Sequence, residues 1–110
     1  MSTEPVARPH PEPVVLNIGG NLGALVVYWD ATQLDTPIEI SPAGHDDDRQ
    51  HQHVLERPLH GQTFYAAVFD QIHEGPHTLW VRGQPRARNV TIVAGQVTEL
   101  HWEGTDTGSP

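Results

Sequence analysis

Apolar side chains in this sequence come in short runs broken by glycine and proline. The breaks are Gly19-Gly20, Thr36-Pro37, Pro42-Ala43-Gly44, Pro58, Gly61, Gly75-Pro76, Gly83, Pro85 and Gly95. Helices need about ten residues or more, and these runs are shorter and rich in β-branched and aromatic residues, so they predict strands. The expected strands are Val14–Ile18, Leu22–Trp29, Ile38–Ser41, Gln50–Arg57, Thr63–Phe69, Thr78–Arg82, Ala87–Val93 and Val97–Trp102. Several alternate with period two, as half-buried strands do. Val90 and Ile92 share a face against Asn89 and Thr91, Leu100 and Trp102 against Glu99 and His101, and Leu79 and Val81 against Trp80 and Arg82. Val93-Ala94-Gly95-Gln96 suits a tight hairpin, with Gly95 free to take positive φ. The stretch Ile18-Gly19-Gly20-Asn21-Leu22-Gly23 reads as a hairpin turn between the first two strands. Only Asp30 to Asp35 has room for a helical turn. Short strands at regular spacing predict an all-β fold, an antiparallel β-sandwich of seven to eight strands.

The flanks lack this pattern. Residues 1–13 hold Pro5, Pro9, Pro11 and Pro13 among small and charged residues and read as an extended, disordered arm. Residues 104–110 read as a loose tail. That leaves one domain, residues 14–103, of the 110-residue chain. The overall hydrophobic content of 36% is low because the flanks dilute a richer centre.

Composition narrows the chemistry. Cysteine is absent, which excludes disulfides, thiolate metal sites and cysteine nucleophiles. The net charge is −8, with no lysine and six arginines, so phosphate backbones and anionic membranes are repelled: neither nucleic acid nor a membrane is an expected partner. No apolar run approaches the ~18 residues that span a bilayer. The first thirteen residues lack the basic start and apolar core of a secretory signal, so the expected location is cytoplasmic. The absence of lysine suggests a GC-rich bacterial genome.

A family pattern is visible in residues 63–100. Thr63-Phe-Tyr-Ala-Ala-Val-Phe, then Ile72-His-Glu-Gly-Pro-His-Thr-Leu-Trp-Val, then Val90-Thr-Ile-Val-Ala-Gly-Gln-Val-Thr-Glu-Leu resembles the carboxypeptidase regulatory-like and Cna-B-like β-sandwich domains. In that pattern a glycine turn, here Gly75, precedes a strand, here His77 to Val81, with His77 where a tyrosine is common. The resemblance implies an Ig-like or prealbumin-like sandwich with an accessory role: spacing, adhesion or ligand binding beside another domain. The isopeptide bond of some Cna-B-like domains needs a lysine, which this chain lacks. The whole chain also resembles short bacterial proteins that carry a phospholipase label, which implies a hydrolase.

The residues offer that hydrolase little. Ser2 and Ser109 lie in the flanks, and Ser41 sits in Ile40-Ser41-Pro42-Ala43-Gly44 without the glycine and following helix of a nucleophile elbow. The glycine-rich stretch at residues 18–23 lacks a P-loop lysine and Rossmann spacing. Asp46-Asp47-Asp48 lacks the alternating oxygen ligands of a calcium loop and reads as a solvated acidic run.

Histidine is the exception, at eight residues of 110. The densest group is His45-Asp46-Asp47-Asp48-Arg49-Gln50-His51-Gln52-His53. On a strand, His51 and His53 point to one face about 7 Å apart, so both imidazoles can approach one ion, with His45, Asp46 or a histidine of a neighbouring strand as further ligands. His73 and His77 flank the Gly75-Pro76 turn, which can also bring them together. The opposing reading makes these histidines polar filler on exposed strands. Aromatic residues are expected mostly in the core, but Trp80, opposite in parity to Leu79 and Val81, is expected to face outward and contact a ligand or partner.

The leading expectation is a non-catalytic binding or protein-interaction module without a cofactor, acting through a sheet face or edge on another protein or on itself as an edge-paired homodimer. The alternative is a histidine site for zinc, copper or nickel on His45, His51 and His53. An esterase or phospholipase-like hydrolase is third.

Overall fold

The computed structural model describes residues 20–103. Eight strands and one 3-10 turn follow in order: β1 (Leu22–Trp29), the turn Ala31–Gln33, β2 (Pro37–Pro42), β3 (Gln50–His53), β4 (Leu55–Leu59), β5 (Gln62–His73), β6 (Gly75–Val81), β7 (Gln84–Ile92) and β8 (Val97–His101). They form two four-stranded sheets, β4-β5-β1-β8 (sheet A) and β3-β2-β6-β7 (sheet B). This is the expected all-β sandwich. Five of its strand pairings are antiparallel, and one, β1 with β8, is parallel. The expected arm at residues 1–13, the strand Val14–Ile18 and the tail at residues 104–110 lie outside the described residues.

The core lies between the sheets. Leu25, Val27 and Trp29 of β1, Ala67, Phe69 and Ile72 of β5, Ile38 and Ile40 of β2, Leu79 and Val81 of β6, and Ile92 of β7 close on one another there. Each large side chain so buried contributes about 1.5–3 kcal/mol relative to exposure. The opposite face of sheet A carries a second apolar cluster of Val26, Tyr28, Ala66 and Val68, edged by Phe64 and Val97. β1 is therefore covered on both faces, which is why Leu-Gly-Ala-Leu-Val-Val-Tyr-Trp is continuously apolar instead of alternating.

One turn differs from expectation. β1 pairs along its length with β5 on one side and over Ala24–Tyr28 with β8 on the other, and the hairpin expected at Gly19-Gly20 falls with its first strand outside the described residues. The Val93–Gln96 turn is tight, with Gln96 N–H donating to Val93 O at 3.1 Å and Gly95 at φ 77°. It nevertheless joins strands of different sheets and is a corner, not a hairpin. It is pinned to β1 where Gly95 N–H donates to Leu22 O at 2.8 Å and Ala24 N–H to Gln96 O at 2.9 Å. Gly23 permits that approach, because a Cβ there would stand 2.5 Å from Val93 O and 2.8 Å from Ile92 Cγ2.

The expected strand Gln50–Arg57 is two strands. Val54, fully buried, is the crossing point: its N–H donates to Thr36 O at 3.0 Å and its carbonyl accepts from Asp35 N–H at 2.7 Å. The chain passes there from the edge of sheet B (β3) to the edge of sheet A (β4). The Asp30–Asp35 segment does hold a helical turn, closed by Gln33 N–H to Asp30 O at 2.9 Å. Two-residue loops at His60-Gly61 and Arg82-Gly83, all four residues with positive φ, make the β4–β5 and β6–β7 hairpins.

Candidate functional site

Strand parity and register place a group of polar side chains on the outer face of sheet B. Ile38 and Ile40 of β2 enter the core, so Glu39 and Ser41 face out. Ser41 lies opposite Thr78, and Glu39 lies between Trp80 of β6 and His51 of β3. His53 lies opposite Pro37 on the same face.

Trp80 points away from the core, as its parity predicts, but it is only 6% exposed, which corrects the expectation of an open aromatic contact. Its indole N–H donates to Ser41 Oγ at 2.9 Å. The Arg49 guanidinium roofs the ring at 3.8 Å from its centre, and Arg88 stands 6.0 Å away. Arg49 is fixed by Glu39 Oε1, 3.1 Å from its terminal nitrogen, and by Asp46 O, which accepts from Nε at 2.6 Å. Such a stack contributes about 0.5–1 kcal/mol near the surface. Ser41 is fully buried with its hydroxyl oxygen engaged by the indole, so it presents no open nucleophile on this face. Glu39 and Arg49 are the members of this face that sequence reasoning missed. Their signal was the register, which pairs Glu39 with both His51 and Trp80.

The structure brings two of the three proposed metal ligands together. His51 and His53 are exposed neighbours with ring centres 5.5 Å apart at 76°. His45 lies in the preceding loop, its N–H donating to Pro42 O at 2.9 Å. Among the described residues no three or more His, Cys, Asp or Glu side chains are grouped to hold a metal ion.

His77 is buried, and its ring Nδ1–H donates to Gly75 O at 2.9 Å. Burial pushes its pKa below the ordinary 6.5, and the charge of His73 pushes the same way, against the opposing pull of the Gly75 carbonyl. Of the two histidines that flank the turn, His73 thus bears electrostatically on His77.

The sheet edges differ in how they are protected. β4 carries Pro58 with Glu56 and Arg57, β8 carries Glu99, and β7 carries Pro85, Arg86 and Arg88 with two breaks in register. Charges, prolines and bulges discourage a foreign strand from pairing. β3 reads Gln50-His51-Gln52-His53, exposed throughout, with no proline, no bulge and no permanent charge. Its shortness is its one defence.

Fold and site together define a two-sheet all-β domain with an exposed, histidine-bearing edge strand. Comparison with protein-family models, with curated proteins and with solved structures finds no match for this chain.

Proposed function

We propose that this domain is a non-catalytic interaction module that accepts a partner strand along β3. The observation that carries this reading is the contrast among the edges: β3 alone lacks proline, bulge and fixed charge among the described edge strands. Its outward backbone groups are a template for strand addition, in which main-chain hydrogen bonds give affinity and alternate side chains give selectivity. The resemblance of residues 63–100 to carboxypeptidase regulatory-like and Cna-B-like domains supports an accessory role. That stretch falls on β5 to β8, away from β3. The net charge of −8 directs partner choice toward proteins and cations and away from polyanions.

The test is Gln52→Lys. Gln52 pairs with Ile38 and therefore lies on the inward-facing side of β3, where a lysine blocks edge pairing without touching the histidines. Self-association in sedimentation across a concentration series, and proteins captured from the source cells, are compared between native chain and variant. Loss of the association in Gln52→Lys is expected. Equal association by both proteins rules out β3 as the contact.

A further inference from the structure

We propose that β3 strands of two copies pair antiparallel about a two-fold axis, and that His51 and His53 of both copies together bind one divalent transition-metal ion. This rests on the reading of β3 as the pairing edge and names its partner. A single chain offers two imidazoles side by side, 5.5 Å apart and exposed, with no third ligand grouped beside them among the described residues. The nearest carboxylate in the register, Glu39 opposite His51, is already engaged by Arg49 at 3.1 Å. Two ligands make half of a tetrahedral site.

A second copy completes it through register alone. With Gln52 opposite Gln52 across the two-fold, each His51 faces the other copy's His53. All four rings then rise from one face of a continuous sheet, at corners spaced about 5 Å across the strands and about 7 Å along them. Four neutral imidazoles suit zinc, copper or nickel, and the ligand spacing lets them converge on one ion at about 2.0–2.1 Å. Any other register leaves the two histidine pairs offset.

Two further observations favour a metal-dependent pair. β3 is four residues long, so its pairing adds only a few backbone hydrogen bonds, each worth about 0.5–1.5 kcal/mol net. That is too little to hold a dimer unaided. Each copy also carries a net charge of −8, and Asp46-Asp47-Asp48 directly precedes Arg49 and β3. Bringing two such edges together costs electrostatic repulsion, which a bound divalent cation offsets.

The experiment uses the full chain without a tag, stripped with chelator and titrated with zinc chloride. Mass is read by light scattering and bound zinc by plasma mass spectrometry. The expected result is a monomer in chelator and a dimer holding one zinc per two chains. His51→Ala and His53→Ala each abolish the zinc-driven dimer, and Gln52→Lys abolishes it with both histidines in place. Unchanged thermal unfolding in chelator certifies that each variant is folded. One zinc per monomer, or no zinc retained after dialysis, overturns the proposal. A dimer that persists in chelator and disappears only in Gln52→Lys also overturns the metal site, while leaving β3 as the pairing edge. Zinc-driven dimerisation untouched by Gln52→Lys overturns both.

Discussion

The two edges of sheet B are built on opposite principles. β7 is long, twice bulged and hydrogen-bonded to β6, whereas β3 is short, regular and hydrogen-bonded to β2. Opposite Leu79 and Trp80 stand Ala87 and Pro85, so Arg86 is an extra residue without a cross-strand partner. The bulge re-aims its guanidinium between the sheets, 4.8 Å from the centre of the Trp29 ring and 4.6 Å from that of Trp102. Those two rings meet edge to face at 5.0 Å. A second bulge near Asn89, at φ 59°, separates the His77–Val90 and Leu79–Ala87 pairs. The chain passes to sheet A beside both edges, at Val54 after β3 and at the Val93–Gln96 corner after β7; what the β7 side adds is the Arg86 guanidinium against Trp29 and Trp102. A closed side supplies stability, and an open side can be given over to contact.

The sharpest way to break this comparison is to remove the closed side's anchor. Trp29 is 5% exposed and packs against both Trp102 and Arg86. Trp29→Ala should cost about 3–5 kcal/mol in urea unfolding. Gln52→Lys at the open edge should fall within about 0.5 kcal/mol of the native chain. Comparable losses from the two variants would mean that both edges carry the fold equally.

How far the sequence reveals this arrangement depends on whether the signal is local. β1 has the expected bounds, because Gly20 and the residues after Trp29 delimit it, and β2 extends one residue beyond expectation at each end. Parity put His51 and His53 on one face and Trp80 on the outside, and the register agrees. The break at Val54 was invisible, since an apolar residue between polar ones continues a strand pattern even where the chain changes sheets. The Val93–Gln96 corner has the same local chemistry as a hairpin; what differs is which strands lie beside β7 and β8. The cover over Trp80 comes from Arg49 in a separate loop, and the edge position of β3 is a property of the whole sheet. Face was therefore legible, whereas cover and edge were not.

A smaller effect separates the two arginine–tryptophan stacks, one on each side. Arg86 contacts two rings and is partly buried, whereas Arg49 covers one ring and shares its charge with exposed Glu39. Arg86→Met, which keeps an apolar stem, should cost about 1–2 kcal/mol. Arg49→Met should cost about 0.5 kcal/mol, and salt should erode that difference first because the ion pair is screened. Urea titrations at low and high sodium chloride measure both. A larger loss at Arg49 would reverse the assignment of the closed and open sides.

The last contrast lies between histidines. His51 and His53 stand in solvent on β3, whereas His77 is buried opposite Val90 of the bulged edge. The folded chain holds His77 below its ordinary pKa of 6.5, chiefly by desolvation, so between the two values the unfolded chain binds more protons than the folded one. Stability from this group is therefore complete above about pH 6.5 and falls as the pH drops through the folded pKa. His77→Gln keeps a side-chain donor for the Gly75 carbonyl but cannot titrate. Its unfolding free energy should thus decline less steeply than that of the native chain between about pH 7 and 5. The difference in slope, measured by urea unfolding at a series of pH values, isolates the buried histidine from the exposed pair, which both proteins share. Parallel profiles would show that protonated His77 is tolerated in place, and that the closed side yields to charge as readily as the open one.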